Sequence, residues 1–214
     1  REFGISLRDR CNKDLIINTV VVHKPKDKLE QWLDESISCG IRNFVFVGAK
    51  INSIKYPGQS IIEANSISSS KKVNIGNILI PERENESDRL IKKSISGCNF
   101  FTSQVLFEPE NILKILKDYS LKCEKSGLKP AKIFLSFAPV SRFDDIEFLR
   151  WLGVEIKEST EKRFMEAQNV GEESTRKIID VLQEIFNYVE KNKLNIPLGL
   201  NIEYISLHNL ELAE

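Results

Sequence analysis

The chain alternates short, near-continuous apolar runs with longer stretches of helical spacing, and this rhythm restricts the fold more than any other feature. Ile16 to Val22 (IINTVVV) is almost wholly apolar and rich in β-branched residues, which predicts a buried strand. Lys28 to Ser38 follows, with Leu29, Trp32, Leu33 and Ile37 at the three- and four-residue steps of a helix. Asn43 to Val47 (NFVFV) is strand-like again, and Gly48 ends it. Beyond the break at Pro57-Gly58, Ser60 is positioned to cap a helix carrying Ile61, Ile62, Ala64 and Ile67. The second half repeats the rhythm. Asn77 to Ile80, Phe100 to Phe107 (FFTSQVLF), Lys132 to Ala138 (KIFLSFA) and Leu198 to Ile205 read as strands. Glu86 to Ser96, Glu110 to Lys125, Asp144 to Leu152 and Thr175 to Lys191 read as helices, with Gly97 and Gly127 closing the first two.

Apolar strands separated by helices predict an α/β fold with a parallel sheet covered on both faces. Six strands read clearly, and Glu2 to Leu7 (EFGISL) offers a seventh. Periodicity alone does not separate a doubly wound sheet from a barrel. No GxGxxG follows the early strands, which argues against a dinucleotide-binding sheet. The 214 residues suit a single domain over 1–214. A full eight-stranded barrel takes ~250 residues, and the chain opens on Arg1 rather than Met. The expectation is therefore one domain, and a barrel of this length would be incomplete at its N-terminus.

Lys and Arg number 31 and Asp and Glu number 31, so no net charge favours nucleic acid or an anionic membrane. No apolar run reaches the ~18 residues of a membrane span. Cys11, Cys39, Cys98 and Cys123 form no CxxC pair, so neither a metal nor a redox motif is expected. They read as reduced, mostly buried thiols of a cytoplasmic protein. Nothing in the composition decides whether the chain is a homo-oligomer.

In parallel α/β folds, functional groups gather where strands end. Those positions hold Pro81, Glu82 and Arg83, then Gln104, then Pro139 to Phe143, then Asn201 and Glu203. Each has an ordinary alternative. Gln104 must in any case find hydrogen-bond partners within an apolar strand, Phe143 could cap the core, and Glu82 could pair with Arg83. His23 and His208 have no partner spacing for a metal or a triad and read as structural.

Three blocks carry a family resemblance. They are Ile80-Pro81-Glu82-Arg83, then Glu86-Ser87-Asp88-Arg89-Leu90-Ile91-Lys92-Lys93, then Gly97-Cys98-Asn99-Phe100-Phe101-Thr102-Ser103-Gln104. Together they resemble the central region of methylenetetrahydrofolate reductases. Ala138-Pro139-Val140-Ser141-Arg142-Phe143 is similar to the family's loop after its seventh strand, and Gly40-Ile41-Arg42-Asn43 to the turn before its fourth. The resemblance implies an eight-stranded (β/α)8 TIM barrel that holds FAD at its C-terminal face. It implies an oxidoreductase of one-carbon metabolism in which NAD(P)H supplies the hydride that turns methylenetetrahydrofolate into methyltetrahydrofolate. The family's folate-contacting glutamine falls on Gln104 and its stacking phenylalanine on Phe143, with Glu82 orienting groups at the mouth. The flavin positions fall on Lys93, Glu86, Asn18 and Gly48.

The chain also departs from the pattern. The family's Arg-Gly-Asp at the flavin pyrimidine reads Gly48-Ala49-Lys50 here, which reverses the local charge. The family's histidine on the preceding strand is Asn18, and another flavin-contacting histidine is Glu84. The general acid is a first-strand glutamate in the family. If Glu2 to Leu7 is that strand, Gly4 takes its place, so no catalytic residue is assigned. The chain is most similar to a divergent branch that keeps the Ile-Pro-Glu-Arg block without that glutamate. The implied alternative to a reductase is a non-catalytic folate-binding barrel, acting as a carrier or a methyltransferase partner.

Overall fold

The computed structural model describes residues 2–49 and 57–213. They divide into two compact units, Arg1–Ile78 with Asp88–Phe101 and Leu79–Ser87 with Thr102–Glu214.

Unit 1 contains α1 (Glu2–Cys11), β1 (Ile16–Val20), α2 (Lys26–Ser38), β2 (Asn43–Val47), α3 (Ile61–Ser68) and most of β3 (Asn74–Leu79) and α4 (Glu86–Ile95). The strands pair in parallel, Ile16 opposite Asn43 and Asn43 opposite Asn74. Parallel pairing follows from the helix inserted between each pair of strands. Leu29 and Leu33 of α2 bury against Phe44 and Phe46 of β2, with Ala64 of α3 and Ile75 of β3 in the same cluster. Trp32 meets Phe44 edge to face at 5.3 Å. Ser60 caps α3 as its sequence predicts. Its hydroxyl accepts from the Glu63 amide, and the Glu63 carboxylate accepts from the Ser60 amide at 2.8 Å. Those bonds, the Ser60 side chain first, hold the Glu63 carboxyl below the usual carboxylate range.

Unit 2 contains most of β4 (Phe100–Val105), then α5 (Glu110–Ser126), β5 (Lys132–Phe137), α6 (Phe143–Trp151), α7 (Glu158–Met165), α8 (Val170–Lys191), β6 (Leu198–Ile202) and α9 (Leu210–Ala213). β5 lies beside both β4 and β6, and it pairs with β6 in parallel, Ser136 opposite Asn201. Gly127 closes α5 at φ 64°, a left-handed conformation that costs glycine little. A core of Val105, Phe107, Ala138, Ile146, Leu149 and Phe164 sits at the C-terminal ends of β4 and β5.

Four features differ from the sequence-based expectation. Glu2 to Leu7 is not a strand but part of helix α1. The alternation of Phe3, Ile5 and Leu7 imitates a strand, yet Phe3 is 79% exposed. Packing instead uses Gly4, Ile5 and Arg8, which share a helical face. Gly4 lies against Leu15 and Ile17, Ile5 joins the unit 1 core, and the Arg8 guanidinium donates to the Cys39 carbonyl. Gly4 therefore does not stand in a strand position for a catalytic acid. Strand limits also move. β3 starts three residues before Asn77, and β4 and β6 stop at Val105 and Ile202. Helix α7 has no counterpart in the sequence reading, because its two buried positions, Thr160 and Phe164, are too few for an apolar stripe. Finally, only Cys98 and Cys123 are buried, while Cys11 is exposed and Cys39 half-buried. Burial pushes the Cys98 thiol up to about 12, so it stays protonated.

Candidate functional site

A cavity of about 160 Å³ opens in unit 2 where β4, β5 and β6 end. Gln104 and Val105 close β4, Ala138 follows β5, and Glu203, Tyr204 and Ile205 follow β6. Helix α6 supplies the opposite wall through Phe148, Leu149 and the adjoining Leu152. The β4 burial pattern explains why Gln104 is available. Ser103 and Val105 are buried, while Thr102 and Gln104 lie on the less covered face. The Gln104 amide donates to the Leu152 carbonyl at 3.2 Å, which uses one of its two N–H groups.

Glu203 is the ionisable group of the cavity. Its backbone N–H continues the β5–β6 ladder to the Phe137 carbonyl at 2.8 Å. Its carboxylate accepts from Asn201 Nδ2 at 2.8 Å, and Asn201 Nδ2 also donates to Ser136 Oγ at 3.0 Å. Ser136 is fully buried and receives its own backbone order from Ser103, whose Oγ accepts the Ser136 N–H at 2.9 Å. Desolvation raises the Glu203 carboxyl above the usual carboxylate range, and hydrogen bonds from Ser136 and Asn201 oppose the shift.

The structure brings together Gln104 and Glu203 from the sequence-derived set, and adds Phe148, Leu152 and Tyr204. Glu82 sits in the turn after β3, outside the cavity lining. Surrounding protein desolvates its carboxyl and raises it, and repulsion from Glu155 adds to the effect. Glu155 is the sequence neighbour of the lining residue Val154. Phe143 is the first residue of α6, 43% exposed, and not part of the lining. Nine residues of helix span roughly 13 Å, so Phe143 lies well away from the α6 end that meets Gln104. Its loop is rigidly held. Asp145 accepts the Ser141 and Arg142 amides at 3.0 and 3.1 Å and the Asn209 amide at 3.0 Å. The rings that share the cavity lining with Gln104 are Phe148 and Tyr204, and Phe148 stacks on Trp151 at 6.0 Å. The three-residue spacing of Phe148 and Trp151 is that of any helix face, so the sequence carries no separate signal for them.

Two of the four residues aligned with flavin positions, Lys93 and Glu86, bond to the protein's own backbone. Lys93 is buried and its Nζ donates to the Ile78 carbonyl at 2.7 Å. Glu86 is 2% exposed, and its carboxylate accepts the Ile80 N–H at 3.2 Å and lies 3.7 Å from Arg83. Both groups thus make contacts at the end of the protein's own strand. Asn18 is exposed in the middle of β1 and Gly48 directly follows β2, while Lys50 lies outside the described residues. Among the described residues no group of three His, Cys, Asp or Glu could hold a metal ion, and no helix is long and apolar enough to cross a membrane.

A family profile described as mycobacterial methylenetetrahydrofolate reductase matches residues 14–208, a span that includes all six strands. The chain belongs to this family. No curated protein matches it. Among solved structures, the family member resembles an uncharacterized protein from Clostridium thermocellum that binds two copies of 5-methyl-5,6,7,8-tetrahydrofolic acid. Identity is 25%, the TM-score is 0.78, and the likeness covers 92% of this chain and 69% of that one. The six parallel strands and their helices thus follow a TIM-barrel-like α/β architecture. A 4-hydroxy-tetrahydrodipicolinate synthase from Methylacidiphilum fumariolicum SolV aligns at 14% identity over 94% of this chain and 70% of that one. The TM-score of that match is 0.43.

Proposed function

We propose that this family member binds a reduced folate with its pterin head in the unit 2 cavity, and that it reduces methylenetetrahydrofolate to methyltetrahydrofolate with a hydride from NAD(P)H. The carrying observation is Gln104, an amide near the end of β4 that opens into a cavity with aromatic side chains in its wall. Pockets for drug-sized ligands run to ~300–1,000 Å³. A cavity of about 160 Å³ admits one ring system only. The aminobenzoyl part of a folate would then lie outside it, on exposed aromatic surface. Phe143 is proposed to cover that ring, and Phe148 to flank the pterin. Glu82 would orient the polar groups at the mouth. The Clostridium thermocellum relative, which binds 5-methyl-5,6,7,8-tetrahydrofolic acid, supports the ligand class.

The commitment of Lys93 and Glu86 to Ile78 and Ile80 favours a reaction in which the hydride passes from the nicotinamide to the folate without flavin. Within such a reaction this chain's residues bind and orient the pterin and exclude water from it. A second reading, a folate-binding carrier or methyltransferase partner, rests on the same cavity and differs only in chemistry. Anaerobic incubation with methylenetetrahydrofolate and NADH or NADPH, with and without FAD, separates them. Folate-dependent loss of the nicotinamide absorbance without FAD is expected. Activity that appears only after FAD addition contradicts the flavin-free route. Folate binding without turnover under any condition leaves the carrier.

A further inference from the structure

Three polar side chains, Ser103, Ser136 and Asn201, link the strands of unit 2. Ser103 on β4 accepts from the Ser136 amide, Ser136 on β5 stands opposite Asn201 on β6, and Asn201 donates to Glu203. Ser103 and Ser136 are 3% and 0% exposed. Serines on apolar strands contribute little to packing, and a desolvated carboxylate costs stability. The line makes sense as a support that ends at Glu203 and fixes its carboxylate at the wall of the cavity.

Its acceptor capacity is only partly used. An ionised carboxylate offers about four lone-pair positions, and here Asn201 and Ser136 are the side chains that donate. Across the cavity Gln104 has its amide half engaged with Leu152. The two groups together present acceptors beside a donor. The walls between them are apolar, from Val105, Ala138, Leu149 and Ile205. A flat heterocycle whose edge carries two adjacent N–H donors and then a carbonyl matches that order. A 2-amino-4-oxopyrimidine edge has this sequence of 2-amino, N3–H and C4 carbonyl.

We propose that Glu203 is a specificity-determining residue of the site, its carboxylate accepting from the 2-amino group and N3–H of the pterin while the Gln104 amide donates to the C4 carbonyl. The proposal rests on the folate reading above. Two parallel N–H···O bonds fix the ring's orientation as well as its identity. They also supply the donors that burial has withheld from this carboxylate, in accord with its upward-shifted pKa. An analogue without the 2-amino group leaves one carboxylate oxygen unpaired, and a site with a buried unpaired group rejects its ligand strongly.

Titration calorimetry with 5-methyltetrahydrofolate and with its 2-desamino-2-methyl analogue tests this in the unaltered chain and in Glu203→Gln. The unaltered chain is expected to prefer the natural ligand by roughly 10- to 100-fold. In Glu203→Gln the natural ligand should weaken by a similar factor, and the preference should shrink to about threefold or less. The analogue comparison in the unaltered chain reads the contact without any substitution, so misfolding of the variant does not obscure it. Equal preference in both chains, or none in the unaltered chain, overturns the role of Glu203 while leaving folate binding in place. No binding of 5-methyltetrahydrofolate by the unaltered chain overturns the folate reading and this proposal together.

Discussion

Unit 1 and unit 2 each place amide side chains among apolar strands, and the outcome differs. In unit 1, Asn77 on β3 and Asn65 on α3 exchange two hydrogen bonds, at 2.8 and 3.1 Å, and both are fully buried. Asn65 also donates to Ser96 at 2.9 Å, and Asn77 to the Gly76 carbonyl at 2.7 Å. These groups satisfy one another inside unit 1. In unit 2, the line from Ser103 through Ser136 and Asn201 leads out to Glu203 at a cavity, opposite an amide that is half engaged. A closed polar network specifies packing, whereas one that ends at a cavity with spare acceptors is organised for a ligand. Burial of a polar side chain does not distinguish the two cases. The place where its hydrogen bonds end does.

The largest effect that can break this comparison is on stability in unit 1. Asn65→Ala removes both partners of the Asn77 side chain in α3 and leaves buried groups unpaired, at a cost of roughly 2–3 kcal/mol. Chemical denaturation should show the loss, while the affinity for 5-methyltetrahydrofolate in the surviving folded protein stays unchanged. A parallel fall in affinity would mean that unit 1 shapes the site.

A smaller effect sharpens the role of the aromatic wall. Phe148→Ala should weaken folate binding by about fivefold, the worth of one ring contact of ~1 kcal/mol. Phe143→Ala should weaken a complete folate yet leave a tetrahydropterin without the aminobenzoyl group unaffected, because Phe143 lies outside the cavity lining. Equal losses for both ligands on Phe143→Ala would bring that ring to the pterin instead.

The smallest effect concerns pH. The folded protein holds the Glu203 proton more tightly than the unfolded chain does, because the carboxyl is raised above its ordinary 4.5. Stability therefore falls as pH rises from that ordinary value through the raised one, since ionisation then opposes folding. Glu203→Gln removes this cost. Its melting temperature should exceed the parent's by roughly 1–2 °C at pH 7, and the difference should vanish near pH 4. A variant less stable than its parent at pH 7 would show that the charge contributes favourably to the fold.

The architecture was legible because each strand of a covered parallel sheet must be largely apolar, and Phe44–Phe46 and, apart from Ser136, Ile133–Phe137 satisfy that requirement, whereas β1 was read from its β-branched residues although Ile16, Asn18 and Val20 are exposed. The N-terminal helix was not legible. Residues 3, 5 and 7 satisfy a period of two, and Gly4, whose small size lets Leu15 and Ile17 approach, carries no periodic signal. At the site, Gln104 stood out as an amide in an apolar run, and Asn201 and Glu203 as polar residues at a strand end. Their grouping into one cavity was not readable, because it depends on the β5–β6 register and on α6 crossing to Gln104. Lys93 and Glu86 illustrate the converse. Their alignment with flavin contacts suggested ligands, but a glutamate at the start of a helix, or a lysine two turns in, can equally bind the end of the preceding strand.

The central claim is that Gln104 reads a reduced folate in the unit 2 cavity. Titration calorimetry of 5-methyltetrahydrofolate into the unaltered chain and Gln104→Ala tests it most directly. Gln104 is only half-buried, so the variant should fold with little change in stability while its dissociation constant rises roughly 10- to 100-fold. Equal affinity in a folded variant would contradict the claim and move the ligand elsewhere.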